Sequence, residues 1–110
     1  MTFDDYQKKA PATAIHHPDP LMDQTIWVLG ITGESGEVVE KWKKIVAYKS
    51  GVISAEDKAE LSKELGDVLW YIALFADSLG LSLDDIAQQN LAKLADRQKR
   101  GTQKGAGDNR

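Results

Sequence analysis

The chain has no cysteine among its 110 residues, and it has only three prolines, two histidines and few aromatic residues. Without cysteine, neither a disulfide framework nor a thiolate metal site can form. The net charge of −3 excludes a strongly basic nucleic-acid binder, so we expect no stable nucleic-acid binding. The two histidines, His16 and His17, are adjacent, which excludes the Glu-x-x-His pairs of di-iron bundles.

Long apolar runs are also missing from the sequence. The longest, residues 68–76, is far shorter than the roughly 20 residues that a membrane-spanning helix needs. The first ten residues contain no apolar stretch, so no signal peptide is expected there. The content of 42% hydrophobic and 28% charged residues is ordinary for a globular chain. We therefore expect one domain over residues 1–100, located in the cytoplasm and without a membrane partner.

Helical periodicity is the main structural signal. Apolar residues recur at helical spacing over about residues 21–48 and again over 55–79, and no segment has the pattern of a strand. Gly51 suits a left-handed helix end between them, while Ser54 and Ser82 are suited to cap the following helices. The sequence predicts an all-α fold: an antiparallel helical hairpin with short flanking helices.

A hairpin alone buries too little apolar surface to be stable. We therefore expect self-association into an oligomeric four-helix-type bundle, as a homodimer or homotetramer. Trp27 and Trp42 lie on the apolar arc of the first long helix and are expected in the core. Trp70 lies off the arc of the second helix and is expected to meet a ligand or a partner chain. Residues 101–110 contain three glycines and no large apolar residue, so a flexible, basic C-terminal tail is predicted.

Two acidic pairs mark the long helices, Glu34 with Glu37 and Glu64 with Asp67. Each pair is spaced i, i+3 and lies on the same-handed edge of its helix's apolar arc. In an antiparallel hairpin these edges fall on the same side. Glu34 and Asp67 are also equidistant from a turn centred between residues 50 and 51, as are Glu37 and Glu64. The sequence therefore predicts that four carboxylates meet at one level, half-buried.

Four carboxylates this close repel one another unless a cation lies among them. Oxygen-only ligands select hard divalent cations, so Mg²⁺ is the leading candidate and Mn²⁺ is possible. Lys41, Lys44 and Tyr71 are predicted near this cluster, where they suit the phosphate oxygens of a substrate. Two other interpretations stay open: the acids are ordinary solvated residues, or Lys41 is only a helix ion-pair partner of Glu37.

Three sequence segments together resemble a known family. They are GESGE at residues 33–37, ELGDVLWY at 64–71, and NLAKL at 90–94 followed by Arg97. Their order and spacing are similar to the E-x-x-E, E-x-x-D and N-x-x-K-L-x-x-R pattern of the MazG-like nucleotide pyrophosphohydrolases. These are all-α enzymes related to dimeric dUTPases and dCTP pyrophosphatases.

The resemblance implies a magnesium-dependent hydrolysis of a nucleoside triphosphate to its monophosphate and pyrophosphate, in which a metal-activated water attacks the α-phosphorus. By the same resemblance Glu34, Glu37, Glu64 and Asp67 are the metal-binding catalytic residues. The residues implied to bind the triphosphate are Tyr71, Asn90, Lys93 and Arg97. The alternatives are a related phosphohydrolase acting on another pyrophosphate-containing metabolite, and a non-catalytic helical interaction module that binds a structural cation.

Overall fold

The structure, a computed structural model that describes residues 1–110, consists of helices and their connections. In chain order the elements are α1 (Phe3–Lys9), a 3-10 turn (Ala10–Thr13), α2 (Pro20–Lys49), α3 (Ala55–Ser78) and α4 (Leu83–Arg100). The predicted all-α class is confirmed, and the helix boundaries agree with the sequence prediction to within about two residues.

Local capping sets these boundaries. Asp19 accepts a hydrogen bond from the Leu21 amide at the start of α2, and Ser54 forms a reciprocal capping box with Asp57 at the start of α3. Between them, Ser50 and Gly51 both have left-handed backbone angles, with φ of 53° and 75°. The turn therefore uses the predicted glycine and also holds a serine in a conformation that costs free energy for a residue with a Cβ.

Helices α2 and α3 pack as the predicted antiparallel hairpin, in the predicted register. The Tyr71 ring of α3 lies directly against the backbone of α2 at Gly30, so closely that a Cβ at Gly30 would overlap the ring. Gly30 and Tyr71 are equidistant from the turn centre at residues 50 and 51. Near the turn, Lys49 pairs with Asp57 at 2.7 Å.

The buried core lies at the end of the hairpin away from this turn, where α1, the 3-10 turn and the start of α4 cover it. Its buried members are Ala10, Trp27, Ala73, Leu74 and Leu83. Trp27 is in the core, as predicted. Trp70 stacks edge-on to Trp27 with ring centroids 5.8 Å apart and donates its indole N–H to Thr13 Oγ1 at 2.8 Å.

One expectation about tryptophan is wrong for the single chain. Trp70 has partners within the chain, because α1 and the 3-10 turn fold onto that side of α3; that it also meets a ligand or a partner chain stays a prediction. Trp42 is not in the core; it is 46% exposed, next to exposed Val39 and Val46 on α2. The apolar arc of α2 is wider than the surface that α3 covers, and this remainder faces solvent.

The chain is more extended than a compact monomer of its size. Its Cα radius of gyration is 16.9 Å, against about 13 Å for a globular domain of this length. Its accessible area is 7864 Å², against about 6,000 Å² for a globular protein of similar mass. Taken alone, no helix is both long and apolar enough to cross a membrane; only α3 and α4 combined meet that test, and they bend by 104° where they join.

The contact between Gly30 and Tyr71 gives a direct test of the hairpin packing. We expect Gly30→Ala to lower the stability by roughly 1–3 kcal/mol, because the added methyl group forces α2 and the ring apart. Gly33→Ala is the matched control: nothing lies within 4 Å of its added Cβ, and alanine is the better helix former by roughly 1 kcal/mol. Urea unfolding of both variants measures the difference. Equal behaviour of the two variants would show that the ring does not rest on Gly30.

Candidate metal and phosphate site

Three carboxylates from the two long helices converge one helical turn from the contact between Gly30 and Tyr71. Glu34 of α2 and Glu64 and Asp67 of α3 each offer an oxygen, and these oxygens all lie within 4.8 Å of one another. Glu34 and Glu64 are half-buried, whereas Asp67 is exposed. The three side chains thus form an all-oxygen cluster, open on one side, that a single divalent cation can bridge.

The electrostatics of this cluster call for a positive charge. Partial burial raises the pKa of Glu34, and the negative charges of Asp67, Glu64 and Glu37 raise it further. Burial and neighbouring negative charges both disfavour the charged form of a carboxylate, whereas a cation bound beside it would favour that form. The donor atoms and their charge therefore fit a hard divalent cation such as Mg²⁺ or Mn²⁺.

Glu37, the fourth predicted ligand, has a different position. Its side chain is exposed and lies outside the group of three, although its charge is near enough to act on Glu34. A spacing of three residues turns Glu37 by about 60° around the helix from Glu34. That rotation leaves Glu37 at the rim of the cluster, on the solvent side.

The two predicted lysines of α2 have separate roles. Lys41 reaches across to α3, where its Nζ lies 3.5 Å from Glu64 and 3.9 Å from Glu60. The structure thus pairs Lys41 with the opposite helix, not with Glu37. Lys44 instead pairs with Glu40 of its own helix at 3.6 Å, so it is not brought to the cluster. Lys41 is the basic side chain at the edge of the acidic site.

Two tyrosines border the cluster from the core side. Tyr71, one turn after Asp67, packs against Trp70 and Trp27 with ring centroids 4.9 and 6.2 Å away. Tyr6 of α1 also faces the cluster: burial raises its pKa, and the charge of Asp67 raises it further. Nothing in the sequence pattern of α1 predicted this position, because it depends on how α1 docks onto α3.

An aromatic cavity of about 350 Å³ adjoins the cluster at Tyr71. Its lining residues come from the 3-10 turn, the following loop, α2 and α3; they are Thr13, Ile15, His17, Ile26, Trp27, Trp70 and Tyr71. Because Tyr71 is four residues from Asp67, the cavity begins about 6 Å along α3 from the carboxylates. The acidic cluster and the aromatic cavity are therefore neighbouring parts of one surface.

Asp23 fixes the loop that carries the histidines, a role that sequence reasoning missed. Its carboxylate accepts hydrogen bonds from the His17 backbone amide at 2.9 Å and from His17 Nδ1 at 2.8 Å, and His16 Nδ1 lies 3.3 Å away. The Pro11 carbonyl, 2.8 Å from His16 Nε2, raises the pKa of His16, and Asp23 raises it further. Both nitrogens of the His16 ring face acceptors, which favours the charged imidazolium.

The residues predicted on the last helix lie apart from the acidic cluster. Asn90, Lys93 and Arg97 all belong to α4, which contacts α1 and α3 and makes no contact with α2. Asn90 is exposed, Lys93 is half-buried, and Arg97 is buried beneath residues 107 and 108. Within one chain, the structure does not bring these three residues to the carboxylates.

The structure is an all-α hairpin whose facing carboxylates form a candidate site for a divalent cation. The family model described as the MazG nucleotide pyrophosphohydrolase domain matches residues 23–102, and the chain belongs to this family. This match covers all ten residues predicted for the site.

The chain is similar over its full length to the Gene 37 protein of Mycobacterium phage L5, with 42% identity over 114 aligned positions that span 100% of both chains. It is also similar to the uncharacterized protein YvdC of Bacillus subtilis strain 168, with 46% identity over 43 residues, which are 39% of this chain and 41% of YvdC. No solved structure shows a significant match to the chain.

Substitution of Asp67 tests the cation site by thermal stability alone. We expect millimolar Mg²⁺ or Mn²⁺ to raise the melting temperature of the native chain by several degrees, because the cation binds only the folded cluster. Asp67→Asn should lose this shift while slightly raising the melting temperature without metal, since it removes a charge that repels Glu34.

The control for that experiment is Glu56→Gln, which makes the same charge change at an exposed residue in the first turn of α3. This variant should keep the full cation-dependent shift. Retention of the shift in Asp67→Asn would show that the cation does not bind at these carboxylates.

Proposed function

We propose that the protein is a cytoplasmic, magnesium-dependent nucleoside triphosphate pyrophosphohydrolase, which converts a ribo- or deoxynucleoside triphosphate to the monophosphate and pyrophosphate. The observation that carries this proposal is the convergence of Glu34, Glu64 and Asp67 within the segment that the family model matches. Mg²⁺ is the expected cation, with Mn²⁺ as the alternative.

In this proposal Glu34, Glu64 and Asp67 hold the divalent cation, and Glu37 at the rim extends the acidic surface. The bound cation would neutralise phosphate charge and lower the pKa of a water molecule. The carboxylates themselves orient the attacking water, and the exposed side of the cluster gives the α-phosphate access. Lys41, held by Glu64 and Glu60, supplies a fixed positive charge for a phosphate oxygen.

The aromatic cavity is the proposed location of the nucleoside. The half-buried rings of Trp70 and Tyr71 suit a base, and buried Trp27 lines the cavity beside them. The cavity begins one helical turn from the carboxylates. Aromatic stacking accepts every base and is worth about 1–3 kcal/mol. His17, fixed by Asp23, closes one side of this cavity and offers a polar contact beside the rings.

A second copy of the chain is proposed to complete the site as a homodimer or homotetramer. Asn90, Lys93 and Arg97 do not reach the carboxylates within one chain, so a partner must supply them if they bind the phosphates. The surface supports this assembly: the accessible area exceeds that of a compact monomer by about 1,800 Å². Summed over two chains this excess is about 3,600 Å², within the roughly 2,000–5,000 Å² that obligate homodimers bury in total. The exposed apolar side chains Trp42, Val39 and Val46 are candidates for that interface.

A product assay tests the reaction. Purified protein with Mg²⁺ is given canonical and modified ribo- and deoxynucleoside triphosphates, and the products are separated chromatographically. We expect monophosphate and pyrophosphate in equal amounts, with the reaction abolished by EDTA and by Asp67→Asn. Diphosphate and orthophosphate would overturn the reaction. No turnover by folded, metal-binding protein would favour the interaction module that binds a structural cation.

Complementation between two variants tests the shared site. Asp67→Asn removes a cation ligand and Lys93→Gln removes a cationic side chain of α4; each alone should be nearly inactive. If the two residues act in one site on different chains, heterodimers contain one intact site. Co-refolding equal amounts should then restore about a quarter of native activity. No recovery would show that both residues act within a single chain.

A further inference from the structure

Residues 101–110 do not extend away from α4; they fold back along its last two turns. Lys93 and Arg97, which lie one turn apart on α4, both contact Asp108. One carboxylate oxygen, Asp108 Oδ1, lies 3.2 Å from Lys93 Nζ and 3.4 Å from Arg97 Nη2. Arg97 Nη2 also donates to the backbone carbonyl of Asp108 at 2.6 Å and lies 3.4 Å from that of Gly107.

This contact buries a cationic side chain that remains only partly satisfied. Arg97 is 4% exposed, yet its Nε has no hydrogen-bond partner. The only other buried side-chain polar atom without a partner is Thr102 Oγ1, at the base of the same segment. Unpaired buried donors cost free energy, and a guanidinium is built to bind an anion through two parallel N–H groups. The segment thus covers Arg97 without meeting its full bonding capacity.

Asp108 itself is held loosely. Its side chain is 83% exposed, and exposed ion pairs contribute little to stability. Its hydrogen bond with Lys93, and more weakly its contact with Arg97, lower the pKa of Asp108, so it is a full carboxylate at neutral pH. A phosphate group carries more charge than this carboxylate and has more acceptor oxygens. It can therefore displace Asp108 from Lys93 and Arg97.

We propose that residues 103–110 act as an internal competitor for an oligophosphate, in which the Asp108 carboxylate occupies the anion site formed by Lys93 and Arg97 until a phosphate chain replaces it. The segment lies beyond residue 102, where the family match ends, so this contact lies outside the segment that the family model describes. The proposal rests on the assignment of Lys93 and Arg97 to substrate phosphates in the proposed function.

The test measures binding of inorganic tripolyphosphate to the full chain by calorimetry, with EDTA present so that no cation bridges the two. We expect Asp108→Asn to bind tripolyphosphate about two- to five-fold more tightly than the native chain, which is the factor expected for removing an exposed ion pair. In nuclear magnetic resonance spectra of the native chain, adding tripolyphosphate should move the amide signals of residues 103–108 toward their positions in Asp108→Asn.

The matched control is Asp96→Asn. Asp96 lies on α4, as Lys93 and Arg97 do, and pairs with Arg100 at 2.7 Å. Its substitution therefore makes the same change in net charge as Asp108→Asn without removing a contact of Lys93 or Arg97. This variant should bind tripolyphosphate as the native chain does. Equal affinities of Asp108→Asn and Asp96→Asn would overturn the proposal, since general electrostatics would then explain the whole effect.

Failure of this inference is distinguishable from failure of the proposed function. If the chain releases pyrophosphate from nucleotides but the two variants bind tripolyphosphate equally, the reaction stands and competition by the segment is wrong. If Asp108→Asn binds tripolyphosphate more tightly than Asp96→Asn but no nucleotide is hydrolysed, the anion site and its internal competitor stand and the reaction is wrong.

Discussion

The close approach of Tyr71 to Gly30 is the contact on which the arrangement of this protein depends. Because glycine has no Cβ, the ring lies against the backbone of α2 and fixes both the spacing and the register of the two long helices. Glu34 lies one turn after Gly30, and Asp67 lies one turn before Tyr71. The same register therefore brings these carboxylates to one level, at the edge of a surface whose other side is the aromatic cavity.

This register has an electrostatic cost. Packing α2 on α3 partly buries Glu34 and brings it close to Glu64 and Asp67, and both the burial and the like charges raise the pKa of Glu34. Lys41, which pairs with Glu64 and Glu60, offsets part of this repulsion. Its ammonium group lies at the rim of the cluster and not among the three carboxylates. The hydrophobic core near Trp27 and Leu74 therefore stabilises a hairpin in which the facing carboxylates repel one another. A bound divalent cation would reduce this repulsion.

The features that were predictable from sequence are those set by local spacing. Three local patterns predict the helices and their acidic pairs: the helical periodicity, the Ser54 and Ser82 caps, and the i, i+3 spacing of the acids. The position of the turn at residues 50 and 51 then predicts how the two long helices align. From these the helices and the meeting of Glu34 with Asp67 followed directly.

The features that were missed depend on contacts between segments distant in sequence. The cover over Trp70 depends on where α1 and the 3-10 turn dock, and the exposure of Trp42 depends on how much of the α2 surface α3 covers. The contacts of Asp23 with the two histidines, and of Asp108 with Lys93 and Arg97, follow no regular spacing in the sequence that could have predicted them. Lys44 was predicted near the cluster but pairs with Glu40, because residues four apart on a helix are neighbours on its surface.

The four-residue spacing from Gly30 to Glu34, matched by that from Asp67 to Tyr71, also determines where the chain can change length during evolution. One residue inserted between Gly30 and Glu34 would rotate the carboxylate by about 100° relative to the glycine and separate the two contacts. The connector at residues 50–54 is exposed and joins helices whose register is set by packing, so it can gain or lose residues without moving the site. Length variation among relatives should therefore collect in the connector and spare the middle of each long helix.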